Sequence, residues 1–569
     1  MADWRLLPGL VLSLVFWVGA EDCSKLCQEA PAVETEDGCL CGKMMPGLDG
    51  PEFDAFLGVP YAKPPVGKLR FANPVPSDPF EGFYNASYSR SECIQKNELV
   101  PMKDHVSGDE DCLYLNVYRP LERNSLLPVM VYIHGGGFIS GNAHPQMVGP
   151  EKFMDTGKVL MVTVQYRLGA FGFFSTGDKY APGNFGLKDQ SLALRWVQNN
   201  IERFGGDPEK VTIFGTSAGA SSVQLHMMSP LSRGLFSRAI LSSGSALAHW
   251  SRPFEKQLFM ARDLAEAAGF RSKQQLTSKQ IVESLRKVKA ADLIETMESL
   301  KYWDIKPTIL FRPVVEEHWD EETFMKEDPR KLWADGFYEK VPWMTGFLPN
   351  EGAVFSVPIL SNITRMKQFI ENEKSFIPLL SGTPRTSTNT INRRFFNGEP
   401  MNKRNADGLS KLVSESAFLY PMIRSVRQHV DNGFLSDAPV TVFYFNFRGR
   451  YHMAPLFAGA LPFKDYGICH GEELPYLFRM SEAFPDADLD SPEMAMSREL
   501  INVFVGFAYE GTLTPDFRRC HRCDLSKKVG FVEFTNSQDG SPRVSYLGPE
   551  NVHMKRLNEI YDWWSAMDI

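Results

Sequence analysis

The stretch from Lys210 to Ser222 constrains this chain more than any other. Val211 to Phe214 is an apolar run that reads as a buried strand. Gly215-Thr216-Ser217-Ala218-Gly219 follows, and the small residues after it can open a helix. A strand that passes straight into a helix around this G-x-S-x-G pattern makes a sharp, strained elbow with the serine at its apex. A Cβ at Gly215 or Gly219 would clash where strand and helix cross, which is why only glycine serves there. The elbow projects the Ser217 hydroxyl out of the turn above a helix N-terminus, so Ser217 is a candidate nucleophile.

The flanking sequence fits a frame around that elbow. Pro128 to Ile133 is an apolar β run that ends in His134-Gly135-Gly136-Gly137-Phe138. A second buried strand is expected over Val159–Tyr166. Lys188 to Phe204 has helical periodicity, with Leu192, Leu194, Trp196, Val197 and Ile201 apolar. Further strands are read at Ala239–Leu241, Val341–Gly346 and Val440–Phe447. Strands alternating with helices predict an α/β fold: a large, mostly parallel central sheet with helices on both faces. Phe56–Ala62 and the alternating run Glu110–Tyr118 precede the first helix and are expected to form an antiparallel edge. From about Trp250 to Lys340, and from Pro358 to Asp437, charged helical patterns read as helical insertions in the loops above the sheet, where they cover and shape a site.

A serine hydroxyl attacks at neutral pH only with a base within reach, an acid that orients the base, and donors for the oxyanion that forms. The glycine run after Ile133 lets backbone N–H groups turn inward, so Gly136, Gly137 and Ala218 are candidate oxyanion donors. Glu351, in Gly346–Gly352 just after a strand, is the candidate acid. His470, in Tyr466–Leu474, is the candidate base. With 69 acidic residues and 11 histidines in 569, position alone would not single out either one. The chemistry calls for no metal and no cofactor.

Those motifs, with Glu110–Asn116, Gln165–Gly172, Asn184–Gln190 and Phe204–Pro208, resemble the type-B carboxylesterase/cholinesterase family of α/β-hydrolases. The likeness runs from about residue 43 to the C-terminus. It implies that Ser217, Glu351 and His470 form a triad, that Gly136, Gly137 and Ala218 form the oxyanion hole, and that small-molecule carboxylic esters are hydrolysed through an acyl-enzyme. It also implies a Cys93–Cys112 disulfide, structural ion pairs Arg70–Glu110 and Arg167–Asp189, and a place for Ser243 behind the triad. Two positions depart from the pattern. Thr216 stands where cholinesterases and many relatives carry glutamate, and Tyr84 stands where cholinesterases carry the choline-binding tryptophan, a better cation–π surface. Both changes argue against acetylcholine. Within the family, the Val341–Gly346 and Gly467–Glu473 segments resemble secreted arthropod esterases, including juvenile-hormone esterases.

The fold alone does not dictate catalysis. The same architecture serves adhesion proteins that have lost the triad, and a sequestering protein that binds esters without turning them over is a third reading. The three intact triad residues and the glycine loop weigh against both.

Arg5 followed by the apolar run Leu6–Val18 and the small residues Gly19-Ala20 reads as a signal peptide over 1–20. The expected organisation is then a cysteine-dense extension over 21–42 and a catalytic domain over 43–569, in a secreted protein with no stable membrane insertion. Nine cysteines suit an oxidising compartment, and their odd number leaves one over. Cys469, inside an apolar segment, is the expected free thiol. Cys520 and Cys523 are read as a local disulfide or as bonded to other cysteines, since no second C-x-x-C completes a zinc site. Sequons at Asn85 and Asn362 are candidate glycosylation sites. A formal charge of -8, with both signs mixed along the chain, gives no sign of nucleic-acid binding.

Overall fold

A computed structural model describes residues 23–97, 99, 105–122, 125–253, 257–271, 275–301, 303, 309–459, 465–512 and 529–567. The expected signal peptide and the Cys520/Cys523 pair lie outside the described residues.

Fourteen strands are formed among them: β1 (Ala32–Thr35), β2 (Gly38–Cys41), β3 (Lys43–Met45), β4 (Phe53–Pro60), β5 (Phe83–Asn85), β6 (Tyr114–Pro120), β7 (Leu127–Ile133), β8 (Leu160–Val164), β9 (Gly206–Thr216), β10 (Arg238–Ser242), β11 (Trp343–Phe347), β12 (Val440–Asn446), β13 (Gly530–Asn536) and β14 (Pro542–Leu547). Eleven make one sheet in the order β14-β13-β12-β11-β10-β9-β7-β8-β6-β4-β3, so the elbow strand β9 lies at its centre with five strands on either side. Pairing is parallel from β8 to β13. It is antiparallel at the N-terminal edge, as expected from sequence, and again at the β13–β14 hairpin, a second antiparallel edge beyond that expectation.

The central strands are apolar at nearly every position because both faces of the sheet are covered. Val129, Val131 and Ile133 of β7 enter one core, with Val211 and Ile213 of β9. Met130, Tyr132 and Phe214 enter the other, and the helix Pro492–Glu510 packs there through Met494, Leu500 and Phe504. The period-2 alternation of a strand thus feeds two cores at once.

Register decides where the chain leaves the sheet. Ile133 pairs with Gly215, Thr216 with Ser242, and Ser242 with Gly346. Their successors emerge together beyond the C-terminal ends of parallel strands, the edge where open α/β sheets build their sites. The helical insertions are present as expected, among them Ala353–Leu360, Ile363–Glu371 and Tyr420–Asp431.

The N-terminal extension is held by two disulfides, Cys23–Cys39 and Cys27–Cys41. It is also tied into the body: β2 pairs with β5, the Glu36 N–H donates to Asn200 Oδ1 (2.9 Å), and Trp196 Nε1 donates to Asp37 Oδ2 (3.1 Å). Cys93–Cys112 is bonded and Cys469 is free and buried. The ion pairs Arg70–Glu110 and Arg167–Asp189 are formed, the latter at 2.6 Å with both side chains buried. Among the described residues, no helix is long and apolar enough to cross a membrane.

Candidate active site

Ser217 sits between β9 and the wholly buried helix Ala218–Met228, at φ 62° and ψ -122°. That is costly backbone for a residue with a Cβ, of order 1–3 kcal/mol, and it persists only where its surroundings dictate it. They do. The Ser217 N–H donates to the Ser242 carbonyl at 2.8 Å. A Cβ on Gly219 would overlap the Ile133 carbonyl oxygen, and one on Gly215 would lie 2.6 Å from Ile133 O and from the Gly219 backbone. Strand and helix therefore cross closely enough to force the turn.

Glu351 lies in the loop after β11 and is fully buried. Its Oε1 accepts from Ser243 Oγ (2.6 Å) and from the Leu348 N–H (2.8 Å), and its Oε2 takes His470 Nδ1 at 2.6 Å, across 119 residues of sequence. A buried carboxylate is tolerable only with such a set of donors. Because the carboxylate accepts, Nδ1 carries a proton, and in the neutral tautomer Nε2 of His470 is the ring's acceptor. The loops bearing acid and base are joined directly: the Asn350 N–H donates to Ile468 O at 3.0 Å, and its side chain donates to Tyr466 O. The ring of Phe418 lies 4.8 Å from that of His470. Ser217 and His470 line the same cavity, of about 1190 Å³ with its open mouth included.

The glycine loop stands beside them. Gly136 and Gly137 take φ of 107° and 62°, conformations that favour glycine. Among the described residues, the N–H groups of Gly136, Gly137 and Ala218 donate no hydrogen bond. Gly136 lines the cavity and Gly137 lies against Leu99, which also lines it. The His134 side chain, stacked on Tyr166 with ring centroids 4.4 Å apart, is pushed down to about 4 by burial, so its ring is neutral at neutral pH.

Three features of the site went unread in the sequence. Glu473 is fully buried, with Oε1 accepting from Ser242 Oγ and from Thr216 Oγ1 (3.3 Å), and burial pushes its carboxyl up, with the charge of Glu351 adding to the rise. Thr216 thus serves as a donor to this acid. Ser242 had no signal of its own, being one more polar residue at the end of an apolar strand. A π-helical turn over Ser414–Leu419 delivers Phe418 to His470 and places the Ser414 hydroxyl where it accepts the Gly352 N–H at 2.8 Å, a local defect that periodicity does not reveal.

The cavity lining is of two kinds. Glu92, Gln95, Asn97, Ser107, Ser140 and Asn142 are polar, whereas Met147, Val148, Met453, Leu456, Phe457 and Met480 are apolar. Tyr84, expected from the family likeness to face a bound choline, is not among the lining residues. It donates to Gly58 O at 2.9 Å and stacks under Arg90.

A strained serine at the end of the central strand, sharing a cavity with a glutamate-held imidazole and a glycine loop, fits a hydrolase of the α/β class. Comparison with known proteins narrows it. The model of the carboxylesterase family matches residues 29–545, beginning inside the cysteine-dense extension, and the chain belongs to that family. It is 37% identical to juvenile hormone esterase of Tribolium castaneum over 89% of this chain and 88% of that protein, and 32% identical to venom carboxylesterase-6 of Apis mellifera over 90% and 91%. Its fold matches that of juvenile hormone esterase from Manduca sexta, solved with OTFP covalently attached, with a TM-score of 0.80 at 26% identity over 95% of this chain and 99% of that one. The chain is a carboxylic ester hydrolase.

Proposed function

We propose that Ser217, His470 and Glu351 act as one catalytic unit in a secreted serine esterase. His470 Nε2 takes the Ser217 proton as Oγ attacks the ester carbonyl. Glu351 fixes the ring and stabilises the imidazolium. The N–H groups of Gly136, Gly137 and Ala218 receive the oxyanion. His470 then protonates the leaving alcohol, and water repeats the cycle on the acyl-enzyme. The observation that carries this reading is the Glu351–His470 bond at 2.6 Å opening on the same cavity as the strained Ser217.

The substrates in this reading are neutral small-molecule esters. Among the described residues, the charged groups of the lining, histidines apart, are Glu92 and Glu482, whose charge disfavours an anionic ester. Three methionines give the apolar lining a soft, adaptable surface suited to unbranched or irregular chains. The names of the Tribolium and Manduca relatives extend the proposal to juvenile hormone as a substrate. Residues 1–20 are the signal peptide in this account, and Asn85 and Asn362, both exposed, carry glycans.

Incubation with an organophosphate followed by peptide mass spectrometry tests the core of the proposal. A single adduct on Ser217 with matching loss of turnover is expected. An unmodified Ser217 in folded protein would return the chain to the adhesion or sequestering readings.

A further inference from the structure

The loop that supplies Gly136 and Gly137 is strained along its length. Gly136, Gly137, Phe138 and Gly141 take φ of 107°, 62°, 63° and 110°. Phe138 is no glycine, and such backbone survives only when its neighbours over-determine it. The middle of the loop is held by backbone: Ser140 N–H donates to Gly136 O at 3.0 Å, and Gly169 N–H donates to Phe138 O at 2.8 Å. Its far end is held by a side chain from another segment. Gln95 Oε1 accepts the Gly141 N–H at 2.7 Å, while Gln95 Nε2 donates to Gly141 O at 2.9 Å and to Cys93 O at 3.0 Å. One buried amide thus grips both backbone groups of one residue, as a neighbouring strand would. Gly141 in turn packs on the start of the loop, where an added Cβ would overlap His134 Nδ1 and the Gly135 carbonyl.

Gln95 is itself anchored. Its backbone exchanges two hydrogen bonds of 2.9 Å with Ser107, and the Cys93–Cys112 disulfide closes the segment. Asn142 Nδ2 donates to Glu92 Oε2 at 2.8 Å, and His144 Nε2 lies 2.8 Å from Arg90 O. The disulfide-closed segment and its flank therefore grip 141–144 at three points.

We infer that Gln95 is a positioning residue for ester hydrolysis: through Gly141 it sets the direction in which the N–H groups of Gly136 and Gly137 point. This rests on the proposed oxyanion role of those two glycines. Donors that point at the developing charge before it forms give most of their benefit through pre-orientation, so a small rotation of the loop costs rate and not binding.

The test uses the full-length enzyme and p-nitrophenyl butyrate, with active sites counted by stoichiometric phosphorylation. Gln95→Ala removes all three bonds. Gln95→Glu keeps an acceptor for Gly141 N–H and loses the donor to Gly141 O. In Gln95→Ala, kcat per titrated site is expected to fall about 10- to 100-fold, the scale of a misplaced catalytic group, with KM within about threefold. The inhibition constant of a trifluoromethyl ketone, whose serine adduct carries the oxyanion, should rise by the factor that kcat/KM falls. Gln95→Glu should lie between Gln95→Ala and wild type. If kcat per titrated site stays within twofold of wild type while only the melting temperature or the number of sites drops, Gln95 merely supports the fold and the inference is overturned. Should Gln95→Ala not fold, a wild-type kcat per site in Gln95→Glu overturns it alone. Ser217→Ala separates the two claims. Turnover retained there withdraws the reading of the site and this inference with it. An inert Ser217→Ala beside an unimpaired Gln95→Ala overturns only the role of Gln95.

Discussion

Ser217 and Met453 line one cavity but are held by different means. Ser217 is fixed by backbone: parallel register, a strained elbow, two glycines that admit no Cβ, and a hydrogen bond to Ser242. Met453, just ahead of the short helix Ala454–Ala458, is held by packing, with its N–H on the Glu472 carboxyl at 3.0 Å. The first kind of support has almost no freedom to vary, since moving any part breaks a close contact between backbones. The second tolerates any side chain of suitable volume. Chemistry sits on the rigid support and selectivity on the permissive one.

The sharpest test of that contrast is to remove the reacting groups without touching the support. Ser217→Ala and His470→Ala should lower kcat by a factor on the order of 10⁴ or more, and Glu351→Gln by on the order of 10³–10⁴, with circular dichroism unchanged. Near-normal turnover in any of them would remove that residue from the machinery. Gly219→Ala attacks the support itself. Its Cβ meets the Ile133 carbonyl, and the expected result is loss of soluble folded protein or a melting temperature lowered by about 10 °C or more. A stable, active Gly219→Ala would show the elbow to be more compliant than its geometry implies.

Smaller effects sharpen the comparison. Ser243→Ala deletes the 2.6 Å bond to Glu351 and leaves Leu348 N–H and His470 to hold the carboxylate. It should cost about 1–3 kcal/mol of stability and lower kcat about tenfold, read by denaturant titration and steady-state kinetics. His226 lies in the helix behind Ser217, with Nδ1 2.7 Å from Ser232 Oγ and Nε2 2.8 Å from Gln190 Oε1. Burial pushes it down from the usual 6.5 to about 3. The unfolded chain therefore takes up the proton first as pH falls below 6.5, and stability declines from pH 6.5 towards 3. The loss from this one ring is about 2 kcal/mol at pH 5, and none above pH 7.5. His226→Asn should flatten that acid limb in a melting-temperature series, and an unchanged slope would remove the assignment. The smallest effect is expected on the permissive side. Met453→Ala should fold with its melting temperature lowered by less than about 5 °C, and shift relative kcat/KM towards bulkier acyl chains about threefold on a p-nitrophenyl ester panel.

Legibility in the sequence follows the same divide. The elbow, the glycine loop and the positions of the strands from Pro128 to Phe447 can be read because backbone constraints leave residue-type signatures: glycines where no Cβ fits, and unbroken apolar runs where both faces are buried. Glu351 and His470 are different. Their neighbours mark them only by family likeness, since nothing local distinguishes them from other acids and histidines. Glu473 shows in the sequence only as part of a family-like segment, with no role, and Ser242, Gln95 and the π-helical turn at Ser414–Leu419 give no signal, because each matters through a partner distant in the chain: Glu473 to Thr216 spans 257 residues and Gln95 to Gly141 spans 46.

By itself, then, the order of residues determined a central elbow, a parallel sheet and a set of groups able to do acyl chemistry. These are matters of local sterics and of alternation along single strands. Only the tertiary structure decided which acid meets which histidine, what holds the glycine loop, and which methionines face the cavity. Those outcomes depend on register between strands and on loops that meet across the top of the sheet, and no short stretch of sequence encodes a distance to a residue a hundred positions away.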